Sequence, residues 1–243
     1  MSAGSDQALN QGENRIEQRA ESREKMPKST TESAFFCRER LFPGLDRLFE
    51  VYGDLGRQIA DFKERAGIDC LRKCQTCCST AKYVEASVFE MLPLSLHIWE
   101  EGRAEELLEK LEGVHPEDLC FSLNLNPTEE VPEGCLNYSF RPLICRLFGF
   151  AATVDKNGRL LIAICKPLKE RHSGIDHRIN EQIRENLPIP LMSDFSRKIA
   201  LIDPRLGQEK YPINIALWEA LELVGQKIHL HKAARKDDHR RME

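Results

Sequence analysis

The chain of 243 residues carries 35 Lys and Arg against 39 Asp and Glu, a net charge of −4 with the signs interspersed. That balance gives no general nucleic-acid or anionic-membrane surface, and the length is enough to bury a core without covalent staples. The opening Met1-Ser2-Ala3-Gly4-Ser5-Asp6 lacks the apolar stretch of a secretory signal, and no run approaches the length needed to span a bilayer. The expected setting is the cytoplasm, where clustered cysteines ligate metal or do redox chemistry rather than pair as disulfides.

Residues 1–33 are polar and charged, cannot bury enough surface to offset the entropy of ordering, and are predicted to form a disordered tail with a transient helix around 15–25. In segment 34–69, Leu41, Leu45, Leu48, Tyr52, Leu55, Ile59 and Phe62 recur in steps of three and four, which predicts an amphipathic, core-facing helix. Pro43 belongs to its first turn, and Gly53 and Gly56 weaken it. A second helix is predicted over 86–100, bent or divided near Pro93, and a short acidic third over 103–111. Asn126-Pro127 and Val131-Pro132 mark 120–134 as loop. Between two apolar runs, Asp155-Lys156-Asn157-Gly158 predicts a β-hairpin. A C-terminal helical segment, 167–231, holds one helix capped by Ser193-Asp194 and another with Ile213, Leu217, Leu221, Val224 and Ile228 on one face. Residues 232–243 read as a charged, solvated tail. The fold class is mainly α with a small β-hairpin, a cysteine-rich module over 70–166 being packed among helices.

The densest chemistry is Cys70-Leu71-Arg72-Lys73-Cys74-Gln75-Thr76-Cys77-Cys78, followed by Cys120, Cys135, Cys145 and Cys165. Soft-metal sites need deprotonated sulfur at short spacings that let a loop wrap the ion. Cys77 and Cys78 are adjacent, so their side chains point different ways: they serve two centres, or one ligates while the other packs. Eight ligands suit two four-cysteine centres; one centre with spare thiols fits equally well. A site joining these stretches is discontinuous and assembled by folding. Arg141 and Arg146 bracket Cys145 and are placed to offset thiolate charge and hold sulfur by hydrogen bonds, against the plainer reading of structural ion pairs. Cys37, remote from the cluster, is read as a small buried hydrophobe.

These residues resemble the zinc- or iron-chelating cysteine-cluster family, the CxxCxxCC domain, also called YkgJ-like. Cys74-Gln75-Thr76-Cys77-Cys78 matches the end of its first motif, and Cys135-Leu-Asn-Tyr138-Ser-Phe-Arg141-Pro142-Leu-Ile-Cys145-Arg146 its second. Cys165 and Cys120 stand like the later cysteine and the one before the second motif. Cys70 departs, with three residues rather than two before Cys74. The resemblance implies chelation of zinc or iron, the iron as ion or iron–sulfur cluster. A flagellin lysine N-methylase looks like a relative, which implies that an enzyme can be built around such a cluster; no residue here identifies a methyl-donor pocket, and whether the protein is an enzyme stays open.

Cys70-x3-Cys74-x2-Cys77 is also radical S-adenosylmethionine spacing, but Thr76 stands where an aromatic is usual and the chain lacks repeated strand–helix units. His172 is a minor candidate ligand. His229 and His231 point to different sides of a helix, and Asn137-Tyr138-Ser139 fits a glycosylation pattern only by coincidence. The expected partner is the metal ion, with zinc or iron as cofactor and neither nucleic acid nor membrane.

Overall fold

The computed structural model describes residues 40–71, 74–81, 83–126, 128 and 134–241, with 232–241 by backbone alone. The predicted disordered tail, its transient helix and Cys37 lie outside these residues.

The first long helix is α1, Leu45–Ala66. Its predicted stripe is its buried face: Leu48, Leu55 and Phe62 are fully enclosed, and Leu45 and Tyr52 nearly so. Each such side chain contributes about 1.5–3 kcal/mol, which offsets the helix-weakening Gly53 and Gly56. Pro43 sits just before α1, in a turn whose Gly44 has φ +97. A Cβ there would lie 2.6 Å from Ile202.

After the cysteine-bearing turn α2, Thr76–Thr80, and strand β1, Glu85–Ala86, comes α3, Val88–Glu100. It runs through Pro93 as one helix rather than dividing. Pro93 removes one backbone bond, but every residue from Val88 to Leu96 is buried, and that burial outweighs the loss. Its start is a capping box, with Ser87 and Glu90 each satisfying the other's backbone N–H. Helix α4, Ala104–Leu111, follows.

The predicted loop 120–134 contains a strand: β2, Leu123–Asn124, pairs antiparallel with β3, Gly134–Cys135. The single-turn α5, Leu143–Leu147, carries Cys145. The predicted hairpin is β4, Ala152–Val154, against β5, Leu160–Ile162. Asp155 shapes its turn by accepting from the amides of Asn157 and Arg159, and Gly158 takes φ +78.

The C-terminal third is helical: α6, Lys166–Arg171; α7, Ile175–Arg184; α8, Met192–Ile202; α9, Pro204–Gly207; and, after strand β6, Tyr211–Pro212, α10, Ile213–Arg241. Ser193-Asp194 do not cap α8: the cap position is Leu191, with no side-chain bond. Asp194 instead lies in the first turn, where its charge complements the helix dipole. The backbone of α10 continues helical through the predicted solvated tail to Arg241.

Two apolar clusters organise these elements. The main one joins α1, α3, α5, α8 and the predicted face of α10. Trp99 fixes the α3–α10 contact by donating to the Leu221 carbonyl (2.9 Å) and packing on Gly225, where a Cβ would come within 2.6 Å of the ring. The second cluster joins Phe62 and Ala66 at the end of α1, Ile68, the hairpin's Phe150 and Ile162, and Ile175, Ile179 and Ile183 of α7. Among the described residues no helix is long and apolar enough to cross a membrane.

Candidate metal centre

The fold delivers the cysteines to the edges of both clusters. Cys120 and Cys145 pack against the main core. Cys70 follows Ile68, and Cys165 follows Ile164, both members or neighbours of the second core. The turn from Cys74 to Cys78 is closed by the Cys78 and Ser79 amides donating to the Gln75 carbonyl (2.8 and 2.9 Å). The Cys74 thiol donates to Thr76 Oγ1 (3.4 Å), and the Cys77 and Cys78 sulfurs touch at 3.9 Å. Neighbours on a helix are about 100° apart, so this pair faces two directions at once.

All eight predicted ligands, Cys70, Cys74, Cys77, Cys78, Cys120, Cys135, Cys145 and Cys165, are free thiols; Cys70 and Cys77 are exposed and the others half-buried. Several of them lie near enough to feel one another's charge. Burial raises the Cys70 thiol, and negative charge on Cys74, Cys77 and Cys165 raises it further. Cys78 is drawn down by its hydrogen bond with Cys77 and pushed up by burial and by Cys145, Cys135 and Cys120. Burial pushes Cys145 up to about 12, with Cys120, Cys135 and Cys77 adding to it and Arg141 opposing. Charge on Cys77 thus acts on Cys70, Cys135 and Cys145 alike. Its own thiol is raised by the bond to Cys78 first and burial second.

Two loops present sulfur in the same way. Burial raises Cys120 and Cys135, while the backbone amide two residues on, at Ser122 and Asn137 respectively, stabilises each thiolate. The loops are tied to each other: Asn137 Nδ2 donates to Ser122 Oγ (2.9 Å) and the Leu136 amide to the Ser122 carbonyl (2.8 Å). Leu123 and Cys135 are partners across the β2–β3 pair. Asn137 thus has a structural use, tying the two loops together.

Arg141 and Arg146 act differently from the predicted sulfur donors. Arg141 donates to the Tyr138 and Cys145 carbonyls (both 3.2 Å) and lies over the Tyr138 ring at 3.5 Å. Its charge lowers Cys77, Cys135 and Cys145. Arg146 donates to the Arg141 and Ser139 carbonyls (2.7 and 2.9 Å) and lies over Tyr52 at 4.3 Å. Together they hold the turn before Cys145 in shape, because a planar guanidinium can serve several carbonyls at once. Phe140 packs by stacking on His97 at 4.7 Å.

His172 is exposed at the end of α6, and His229 meets the edge of Trp99. Among the described residues no three His, Cys, Asp or Glu side chains converge to the spacing of a formed metal site. The residue chemistry fits a soft metal: sulfur donors without competing disulfides, backed by amides and a guanidinium. Sequence reasoning missed Ser122 and two buried polar side chains, Glu90 and Asn214, that reach the cysteine loops. Of these only Ser87-x-x-Glu90 left a local signal, the capping-box pattern.

No curated protein and no solved structure matches the chain significantly. Residues 69–171, which span eight of the nine cysteines and end with α6, match the CxxCxxCC family, described as a "putative zinc- or iron-chelating domain".

Proposed function

We propose that the protein chelates zinc or iron through Cys70, Cys74, Cys77, Cys78, Cys120, Cys135, Cys145 and Cys165, with Arg141 and Arg146 as supports. The observation that carries this reading is the spread of eight free thiols from Cys70 to Cys165, with Cys77 and Cys78 in contact at 3.9 Å, inside a span that matches a zinc- or iron-chelating domain family. Two four-thiolate centres suit that distribution. Cys70, Cys74, Cys77 and Cys165 would hold one; Cys78, Cys120, Cys135 and Cys145 would hold the other.

Bound metal would cross-link the loops and, as an iron–sulfur cluster, would add electron transfer. The protein's part is to place the sulfurs, to favour thiolate through the Ser122 and Asn137 amides, and to balance negative charge with Arg141. The reading places the protein in a reducing compartment, the cytoplasm, where thiols stay available. Anaerobic purification followed by elemental analysis and visible absorption tests it. Stoichiometric zinc in a colourless protein, or iron in a brown one, is the expected result. Protein that contains neither metal and takes up neither after reduction overturns it.

A further inference from the structure

The cysteine module does not hold its own loops in place unaided. Glu90 is 1% exposed, and both its oxygens are occupied. Oε2 accepts from the Ser87 amide (2.9 Å), from Ser87 Oγ (2.7 Å) and from Lys210 Nζ. Oε1 accepts from the Leu143 amide at 2.8 Å, the first N–H of α5, two residues before Cys145. A capping box needs only one carboxylate oxygen; the second seats another helix. A buried carboxylate is costly unless paired, and a salt bridge so enclosed adds little net stability. What it does add is a fixed placement for the groups it binds.

Four residues beyond Lys210, Asn214 does the same for Cys120. It is 3% exposed, and its Oδ1 accepts from the Phe121 amide at 3.0 Å. Its Nδ2 donates to the Leu119 carbonyl at 3.0 Å and the Asp118 carbonyl at 3.5 Å. One amide therefore grips the chain on both sides of Cys120. The stretch carrying Lys210 and Asn214 is itself anchored, with Tyr211–Pro212 paired to Glu85–Ala86 and the Ile213 amide bonded to the Val84 carbonyl (2.8 Å).

We infer that Lys210, through Glu90, and Asn214 are positioning residues for the metal centre, fixing Cys145 and Cys120 relative to each other from a five-residue stretch outside the matched domain. The inference rests on the metal-chelating reading and predicts which supports it needs. It also separates these residues from ordinary core residues of α10 such as Leu221, whose side chain makes no hydrogen bond to the cysteine loops.

Co²⁺ titration of the reduced, metal-free full chain is the test, with thiolate-to-cobalt absorbance and chelator competition as readouts. Asn214→Leu and Lys210→Met are compared with Leu221→Ala, a core change on the same helix. The two positioning variants should keep wild-type helicity by circular dichroism, bind Co²⁺ about 10–100-fold more weakly, and show less thiolate absorbance per cobalt. Leu221→Ala should lose thermal stability yet keep wild-type affinity and spectrum. Folded positioning variants with wild-type affinity and spectrum would overturn the inference. Should Asn214→Leu fail to fold, the paired Glu90→Gln/Lys210→Met variant decides, since it leaves no unpaired buried charge and the Lys210 side chain is 27% exposed. Wild-type protein that takes no Co²⁺ overturns the chelating reading first, before any variant is compared.

Discussion

The two sets of cysteines are held in contrasting ways. Cys120 and Cys145 lean on the main core and are gripped within two residues by Asn214 and Glu90. Cys70 and Cys165 emerge from the smaller core, steadied further back in the chain. Arg178 donates to the Ala66 carbonyl (3.0 Å), and Asn180 accepts from the Ile162 amide (3.0 Å). One set is covered and braced at close range; the other includes exposed Cys70 and Cys77 and is braced at a distance. The difference is in how closely each cysteine is braced, within two residues at Cys120 and Cys145 and further back in the chain at Cys70 and Cys165.

The sharpest break of that contrast is a pair of substitutions. Cys145→Ser should remove metal from the covered set and lower the melting temperature of the loaded protein. Its effect on affinity should exceed the roughly 10–100-fold cost of losing an outer support. Cys70→Ser should weaken only the other set and cost less stability, because its sulfur is exposed. Metal-to-protein ratios and thermal melts of both variants decide; equal losses would erase the contrast between covered and exposed sulfur. Next in size is Phe62→Ala, which empties the second core at a fully buried position. A loss of about 3–5 kcal/mol is expected in denaturant melts, with metal affinity falling at the Cys70 set and holding at the Cys145 set.

Much of the frame was legible in the sequence because it is local. The stripe of α1, the α10 face and the Asp155–Gly158 turn each follow from residues within a few positions of one another. The cysteines were legible because thiols at that density point to a soft metal by composition and spacing alone. The supports were not. Asn214 meets Phe121 across 93 residues and Lys210 meets Glu90 across 120, and neither distance leaves a spacing pattern. Pro93 misled for a related reason: the local rule predicts a break, and the burial that overrides it belongs to the tertiary fold. The second motif sets Arg141 and Arg146 near Cys145 in the chain, but their carbonyl partners depend on how the turn folds back.

A smaller effect tests whether the main core and the covered sulfurs act as one body. Gly225 lies where a side chain would press into Trp99. Gly225→Ala should cost about 1–3 kcal/mol by overpacking, read in thermal melts, and, like Leu221→Ala, should leave metal binding by Cys120 and Cys145 unchanged. Weakened affinity there would mean that the bracing by Asn214 and Glu90 depends on how α3 and α10 pack.

The most graded contrast lies in protons. A thiol raised by burial is protonated at neutral pH in the metal-free protein, and binding metal must expel that proton. Each displaced proton makes binding more favourable by about 1.4 kcal/mol per pH unit below the thiol's pKa, and the gain stops above it. Cys145, at about 12, therefore contributes to the slope throughout the physiological range. Cys78 is lowered by its bond with Cys77 and should stop contributing at lower pH than Cys145 does. Chelator competition with zinc at several pH values should show affinity rising with pH, less steeply at the alkaline end as Cys78 drops out. Cys145→Ser should flatten the curve more than Cys78→Ser does. A wild-type affinity independent of pH would show that the expelled protons do not come from these thiols.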